Sequence, residues 1–260
     1  MRQIVAVVSG KGGVGKSTVA VNLAVAMAAT GRKVALVDAD FYGPSVPTLL
    51  GAGAIEATQD GKMIPVEKYG VKLLSVGLFL EDPDTPVIWR GPMFHKAMQQ
   101  IFEETQWGDV DYCIVDMPPG TGDAPLSLTQ LVKLTGALVV TTPQEVAMAD
   151  VRKSINMLRK VGVDLLGIVE NMAGFVTPDG VRHDIFGSGG GATISKSFGI
   201  PLLCSIPLES SIRESGDMGK PAALEQGSVA AELFEELALK VIDILATKPK
   251  DVPSLRIVKE

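Results

Sequence analysis

The stretch Ser9-Gly10-Lys11-Gly12-Gly13-Val14-Gly15-Lys16-Ser17-Thr18 packs four glycines and two lysines directly behind the first apolar run of the chain. Gly10 to Ser17 fit the pattern G-x-x-x-x-G-K-[ST]. Such a turn lets backbone N–H groups face inward around an anion, and the helix that follows adds its positive end. In this reading Gly10, Lys11, Gly12, Gly13, Val14 and Gly15 wrap the phosphates of ATP. Lys16 bridges the β- and γ-phosphates, the Ser17 hydroxyl ligates Mg²⁺, and Thr18 reaches the α-phosphate. Mg²⁺ keeps several waters and takes few carboxylates. The candidates close two other apolar runs: Asp116 in "YCIVD", and Asp38 and Asp40 in "VDAD". Asp116 is expected to hold the metal through water with Asp38 in support, which leaves Asp40 to orient the attacking water. Asp38 and Asp40 equally suit a turn or helix cap, and so does Asp123 in "TGDAPLSL". Lys11 is surplus to a single phosphate site; in isolation it reads as a solvated loop lysine.

These groups need strands that end together. Seven runs read as strands: 4–8, 33–38, 71–76, 112–116, 137–142, 165–171 and 202–206. They are continuous rather than alternating, which suits strands covered on both faces. Helical faces recur between them: Val19, Leu23 and Met27 ending at Gly31; Phe94, Ala97, Met98, Ile101 and Phe102; and Val229, Leu233, Leu237 and Val241. The alternation predicts an α/β fold, a mostly parallel central sheet with helices on both faces. Ligands of such sheets bind at the carboxyl ends of the strands. Residues 1–247 are expected to form one domain and 248–260 a poorly ordered tail, with a small hairpin turning at Asp60-Gly61.

A net charge of −6 speaks against a general nucleic-acid binder. Arg152, Lys153, Arg159 and Lys160 can share a helix face, which reads as a solvated surface. Two cysteines, Cys113 and Cys204, make neither a disulfide framework nor a four-thiolate site, and both fall inside strand candidates. No signal peptide and no run long enough to cross a bilayer is visible, so a cytoplasmic protein without a membrane partner is expected.

"KGGVGKST", with a lysine just after the first glycine, resembles the deviant Walker A motif of the MinD/ParA and nitrogenase iron protein class. "VDADFYGPSVPTLLG", "WRGPM", "DMPPGTGD", "TTPQEVAMADVRKS", "ENM", "HDIFGSGGG" and "SIPLESSIRESGDMGKP" narrow the resemblance to the Mrp/ApbC family of iron–sulfur cluster carrier ATPases, over roughly residues 1–246. The resemblance implies a homodimer with ATP sandwiched between the copies. In it Lys11 crosses to the facing subunit's phosphates, in the manner of an arginine finger. It implies that Asn171 hydrogen-bonds adenine while Pro207 and Glu209 flank the base. It also implies a 4Fe–4S cluster and, as partners, iron–sulfur assembly proteins or apo-protein acceptors. The chain departs from the family at one place: Thr177-Pro178-Asp179-Gly180 stands where C-x-x-C is usual. Hard oxygen donors replace thiolate poorly on such clusters. The expectation is therefore an ATP switch that does not hold a cluster the family's way. A spatial organiser of the MinD/ParA kind, a paralogue without cargo, and a metabolic kinase or ligase remain the competing functions.

Overall fold

A computed structural model describes residues 1–53, 56–58, 62–79, 91–177 and 179–248. In chain order its strands are β1 (Gln3–Ser9), β2 (Val34–Asp38), β3 (Glu56–Ala57), β4 (Met63–Ile64), β5 (Val66–Lys68), β6 (Val71–Ser75), β7 (Tyr112–Asp116), β8 (Gly136–Thr141), β9 (Leu165–Asn171), β10 (Phe175–Val176), β11 (Arg182–His183) and β12 (Leu202–Ile206). Its α-helices are α1 (Lys16–Ala29), α2 (Val46–Leu50), α3 (Gly91–Glu103), α4 (Asp123–Leu131), α5 (Glu145–Lys160), α6 (Gly190–Phe198), α7 (Ser210–Asp217) and α8 (Val229–Ala246). The main sheet runs β12-β9-β8-β1-β7-β2-β6-β5, and only the edge pair β5–β6 is antiparallel. The seven apolar runs of the sequence are seven of its strands.

Their continuous hydrophobicity has a direct cause. In β1, Val5 and Val7 face a core shared with α1 and α8, while Ile4, Ala6 and Val8 face a second core built by α3, α4, α5 and α6. Both faces are covered, so alternation with polar residues would place polar groups in a core. Helix α1 is buried almost all round, from Val19 to Met27, because it lies between the sheet and α8. The polar residue inside that stretch is fully engaged: Asn22 donates from Nδ2 to the Thr18 carbonyl at 2.8 Å and accepts the Ala223 N–H at 2.8 Å. Gly31 follows the cap residue Thr30 with a left-handed φ of 81°, as a helix end favours.

The α3 face is as expected, with Phe94, Ala97, Met98 and Ile101 buried. The α8 face is as expected from Leu233 onward, with Leu237 and Val241 buried and Leu233 partly buried against the same core. Its buried stripe is Ala230, Phe234, Leu237, Ala238, Val241, Ile242 and Leu245, whereas Val229 is exposed. Val229 comes directly after Ser228, whose hydroxyl caps the helix by accepting the Ala231 N–H, so the first helical residue still points outward. Strands β3 and β4 pair antiparallel as the expected hairpin, but its Asp60-Gly61 turn lies outside the described residues, as does the tail from 249 to 260. Among the described residues, no helix is long and apolar enough to cross a membrane.

Candidate functional site

Parallel register assembles the site. β7 pairs with β1 on one side and β2 on the other, setting Asp116 beside Val7 and beside Asp38. The glycine-rich turn leaves β1 at the same edge and enters α1 at Lys16. Four residues expected from the sequence to work together thus converge: Lys16, Ser17, Asp40 and Asp116.

Lys16 is buried, and its ammonium donates to Asp116 Oδ1 at 2.7 Å and lies 3.3 Å from Asp40 Oδ2. The Ser17 hydroxyl donates to the other Asp116 oxygen at 2.5 Å. Asp40 Oδ1 is buried with no hydrogen-bond partner. An orphaned acceptor of this kind costs stability unless a ligand or its water shell completes it. The donor set fits Mg²⁺, which uses one or two carboxylates and a hydroxyl and keeps its remaining waters.

Asp38 sits deeper than the sequence suggests. It is fully buried; its Oδ1 accepts the Asp40 N–H at 3.1 Å and its Oδ2 accepts the Ser75 hydroxyl at 2.8 Å. Burial, reinforced by the neighbouring Asp116, pushes its carboxyl up to about 8. Burial also pushes Asp116 upward, opposed by the Lys16 charge. Asp38 therefore braces the backbone of Asp40, and Asp40 is the carboxylate that faces the opening. Ser75, which closes the next strand, had no site signal in the sequence: its role is set by a neighbour 37 positions away.

Above these groups opens a cleft of about 290 Å³, lined on the turn by Lys11, Gly12, Gly13, Gly15 and Lys16 to Thr18, and facing them by Asp40, Gly43, Ser45, Leu49 and Pro119. Gly10 and Val14 shape the turn from behind. A side chain at Gly10 would meet the α5 backbone of Asp150 and Val151 at 2.4–2.5 Å, so the turn rests directly on that helix. Val14 is buried, and its carbonyl accepts the Asn171 Nδ2 at 2.9 Å. Gly15 combines a φ of 81° with an ideal Cβ only 2.2 Å from that same amide, so a side chain fails there on both counts. Asn171, at the end of β9, thus supports the turn. Neither it nor Pro207 or Glu209 lines the phosphate cleft; Pro207 follows β12, and Glu209 directly precedes α7 without its side chain capping the helix. Lys11 reaches sideways, its ammonium donating to Gln144 Oε1 at 3.3 Å. Gln144 lies within the stretch TTPQEVAMADVRKS that carries the family resemblance, but nothing in the sequence assigns it an individual role.

The segment after β9 is a small hairpin of β10 and β11. The single Thr177 hydroxyl proton is shared between Asp179 and the Val181 carbonyl, the latter at 2.9 Å, and the contact with Asp179 holds its carboxyl below the usual range. Pro178 lies outside the described residues. His183 is exposed, and among the described residues no three His, Cys, Asp or Glu side chains converge as metal ligands. The two thiols are elsewhere and inert: burial pushes Cys113 in β7 up to about 12 and Cys204 in β12 up to about 11. These residues do not fit a 4Fe–4S cluster. On α5, Lys153 pairs with Asp150 at 3.0 Å, and Arg159 lies 5.3 Å over the Phe198 ring. The basic face is thus partly engaged within the chain.

Residues 1–242 match the ParA family, described as the NUBPL iron-transfer P-loop NTPase. An "Iron-sulfur cluster carrier protein" of Synechocystis is 52% identical over 249 residues, 93% of this chain and 70% of that protein. Among solved structures, a nucleotide-binding protein from Archaeoglobus fulgidus in complex with ADP is 37% identical, with a TM-score of 0.77 over 90% of this chain and 92% of that one. The septum site-determining protein MinD from Pyrococcus horikoshii, complexed with Mg-ADP, is 28% identical, with a TM-score of 0.68 over 95% of this chain and 98% of that one.

Proposed function

This chain belongs to the ParA-type iron-transfer P-loop NTPases, and from that premise we propose that it is a magnesium-dependent ATPase of iron–sulfur cluster delivery whose slow hydrolysis is coupled to pairing with a second copy. The observation that carries this reading is the wiring of Lys16. A buried ammonium held by two carboxylates at the floor of a glycine-lined cleft is a cation waiting for a stronger anion. On binding ATP, Lys16 turns from Asp116 and Asp40 to the β- and γ-phosphates. Ser17 and Asp116 are then free to hold Mg²⁺, which when bound neutralises phosphate charge. Asp40, with one oxygen unpartnered, orients the attacking water, and Asp38 fixes Asp40 through its backbone. Asn171 contacts adenine, with Pro207 and Glu209 beside the base. Lys11 completes the facing copy's site, so cleavage waits for pairing.

The cluster is cargo, and its thiolates come from outside this chain: from iron–sulfur assembly proteins or the apo-protein acceptors that receive it. The test is calorimetric titration with Mg-ATP together with turnover measured across protein concentrations. Lys16→Ala should weaken nucleotide binding by about 100-fold or more, since a charge-assisted contact to phosphate is lost. Asp40→Ala should bind ATP and hydrolyse it about 100-fold more slowly. Turnover per chain that is constant under dilution, with no dimer formed by a non-hydrolysable analogue, would sink the proposal.

A further inference from the structure

We propose that Gln144 is a positioning residue that parks the Lys11 ammonium on its own chain until a second copy presents phosphate, and so sets the concentration at which pairing and hydrolysis begin. The inference rests on the cross-subunit role given to Lys11 above. It starts from the contact of Lys11 Nζ with Gln144 Oε1, which joins residues 133 positions apart.

Both ends of that contact are fixed. Gln144 stands at the start of α5, where its carbonyl accepts the Met148 N–H at 3.1 Å. The backbone of Lys11 is held by the Ser9 hydroxyl, which donates to the Lys11 carbonyl at 3.0 Å. Gly10, one residue earlier, is pressed against α5 so closely that no side chain fits between them. Turn and helix therefore form one unit, and the lysine side chain is the part free to swing.

The partner's chemistry makes the hold releasable. Carboxylates are present on the same helix, at Glu145 and Asp150, yet among the described residues Lys11 forms no ion pair; Asp150 is taken by Lys153. A neutral amide holds an ammonium less firmly than a carboxylate does. Lys16 shows the opposite design, with two carboxylates around one ammonium. Lys16 must stay in its own site; Lys11 must be able to leave. The geometry points to a lysine kept aligned at the rim and released to any phosphate that approaches from outside.

The test compares the full chain with Gln144→Ala, Gln144→Glu, Lys11→Ala and the double variant Lys11→Ala/Gln144→Glu. Reductive methylation of Lys11 in dilute, nucleotide-free protein, followed by peptide mass spectrometry, reads the contact without requiring a dimer. Gln144→Glu should slow that labelling and raise the protein concentration for half-maximal ATP turnover, each by about threefold, the range of a partly exposed ion pair. Gln144→Ala should move both the other way. Monomer affinity for ATP should be unchanged in both, and a purely structural role for Gln144 would not produce opposite shifts. Analogue-induced pairing of Lys11→Ala should be indifferent to the added Gln144→Glu. Labelling indifferent to residue 144, or a Gln144→Glu shift that persists without Lys11, overturns the proposal. If Lys11→Ala keeps the wild-type dependence of turnover on concentration while labelling still responds to residue 144, the cross-subunit reading fails and takes the threshold role with it. The altered labelling tells that failure from the first.

Discussion

The phosphate cleft and the β10–β11 hairpin leave the same edge of the sheet, but they are held together in different ways. In the cleft, Lys16 and Asp116 meet across 100 positions of chain and both are buried. In the hairpin, Thr177, Asp179, Arg182 and Asp184 bond to partners two to nine positions away, and most of the segment is exposed. Removing one member of a buried charged pair costs about 3–5 kcal/mol, whereas an exposed pair contributes about 0–1 kcal/mol. The nucleotide site is thus part of what makes the chain fold, and the hairpin is an appendage that can change its chemistry at little cost. This is how a sequence can retain every part of a phosphate turn and yet carry threonine and aspartate where relatives of the resembled family carry thiolates.

Four measurements break or sharpen this contrast. The largest effect is expected at the cleft: Lys11→Ala should lower maximal turnover about 1,000-fold, the lower range for a charge supplied in trans, and leave monomer nucleotide binding intact. Hydrolysis equal to wild type would remove the two-copy account. A much smaller effect tests the appendage. Thr177→Val deletes both hydroxyl contacts and should cost about 1 kcal/mol or less in denaturant unfolding, with turnover within about twofold of wild type. Anaerobic incubation of either protein with iron and sulfide should give no stoichiometric visible chromophore; a one-cluster-per-dimer signal would show that other ligands exist.

The last measurement reads stability rather than turnover and concerns Asp38. Its carboxyl titrates near 3.8 when unfolded and at about 8 when folded, so the unfolded chain gives up that proton first. Between those two values the folded state binds more protons, and nucleotide-free protein should become easier to unfold as pH rises through the window. Asp38→Asn should flatten that slope in thermal melts from pH 5 to pH 8, while an unchanged slope would place the proton elsewhere.

What the sequence showed and what it hid divide along physical lines. The strands were legible because burial on both faces leaves an uninterrupted apolar run. The phosphate turn was legible because its chemistry depends on spacing within a few residues, from Gly10 to Ser17. Ser75 was not, and Gln144 was legible only as part of the stretch TTPQEVAMADVRKS, since a serine or glutamine acquires its individual role only from the fold that sets it beside Asp38 or Lys11. The inward role of Asp38 was hidden for a similar reason: pattern alone cannot say which of two carboxylates, Asp38 or Asp40, turns toward the opening. For α8 the period and the first helical residue were right, but Val229, directly after the Ser228 cap, faces solvent, so the buried stripe begins at Ala230.

Helix α1, enclosed between the sheet and α8, carries the phosphate turn at its first residue. Its amide protons can meet deuterated solvent only when the surrounding layers separate, which places it among the last segments to exchange. Tightening of a nucleotide on that turn will then register as protection across the whole domain and as a higher melting temperature, so a simple thermal scan with different nucleotides becomes a sensitive assay for what this chain binds.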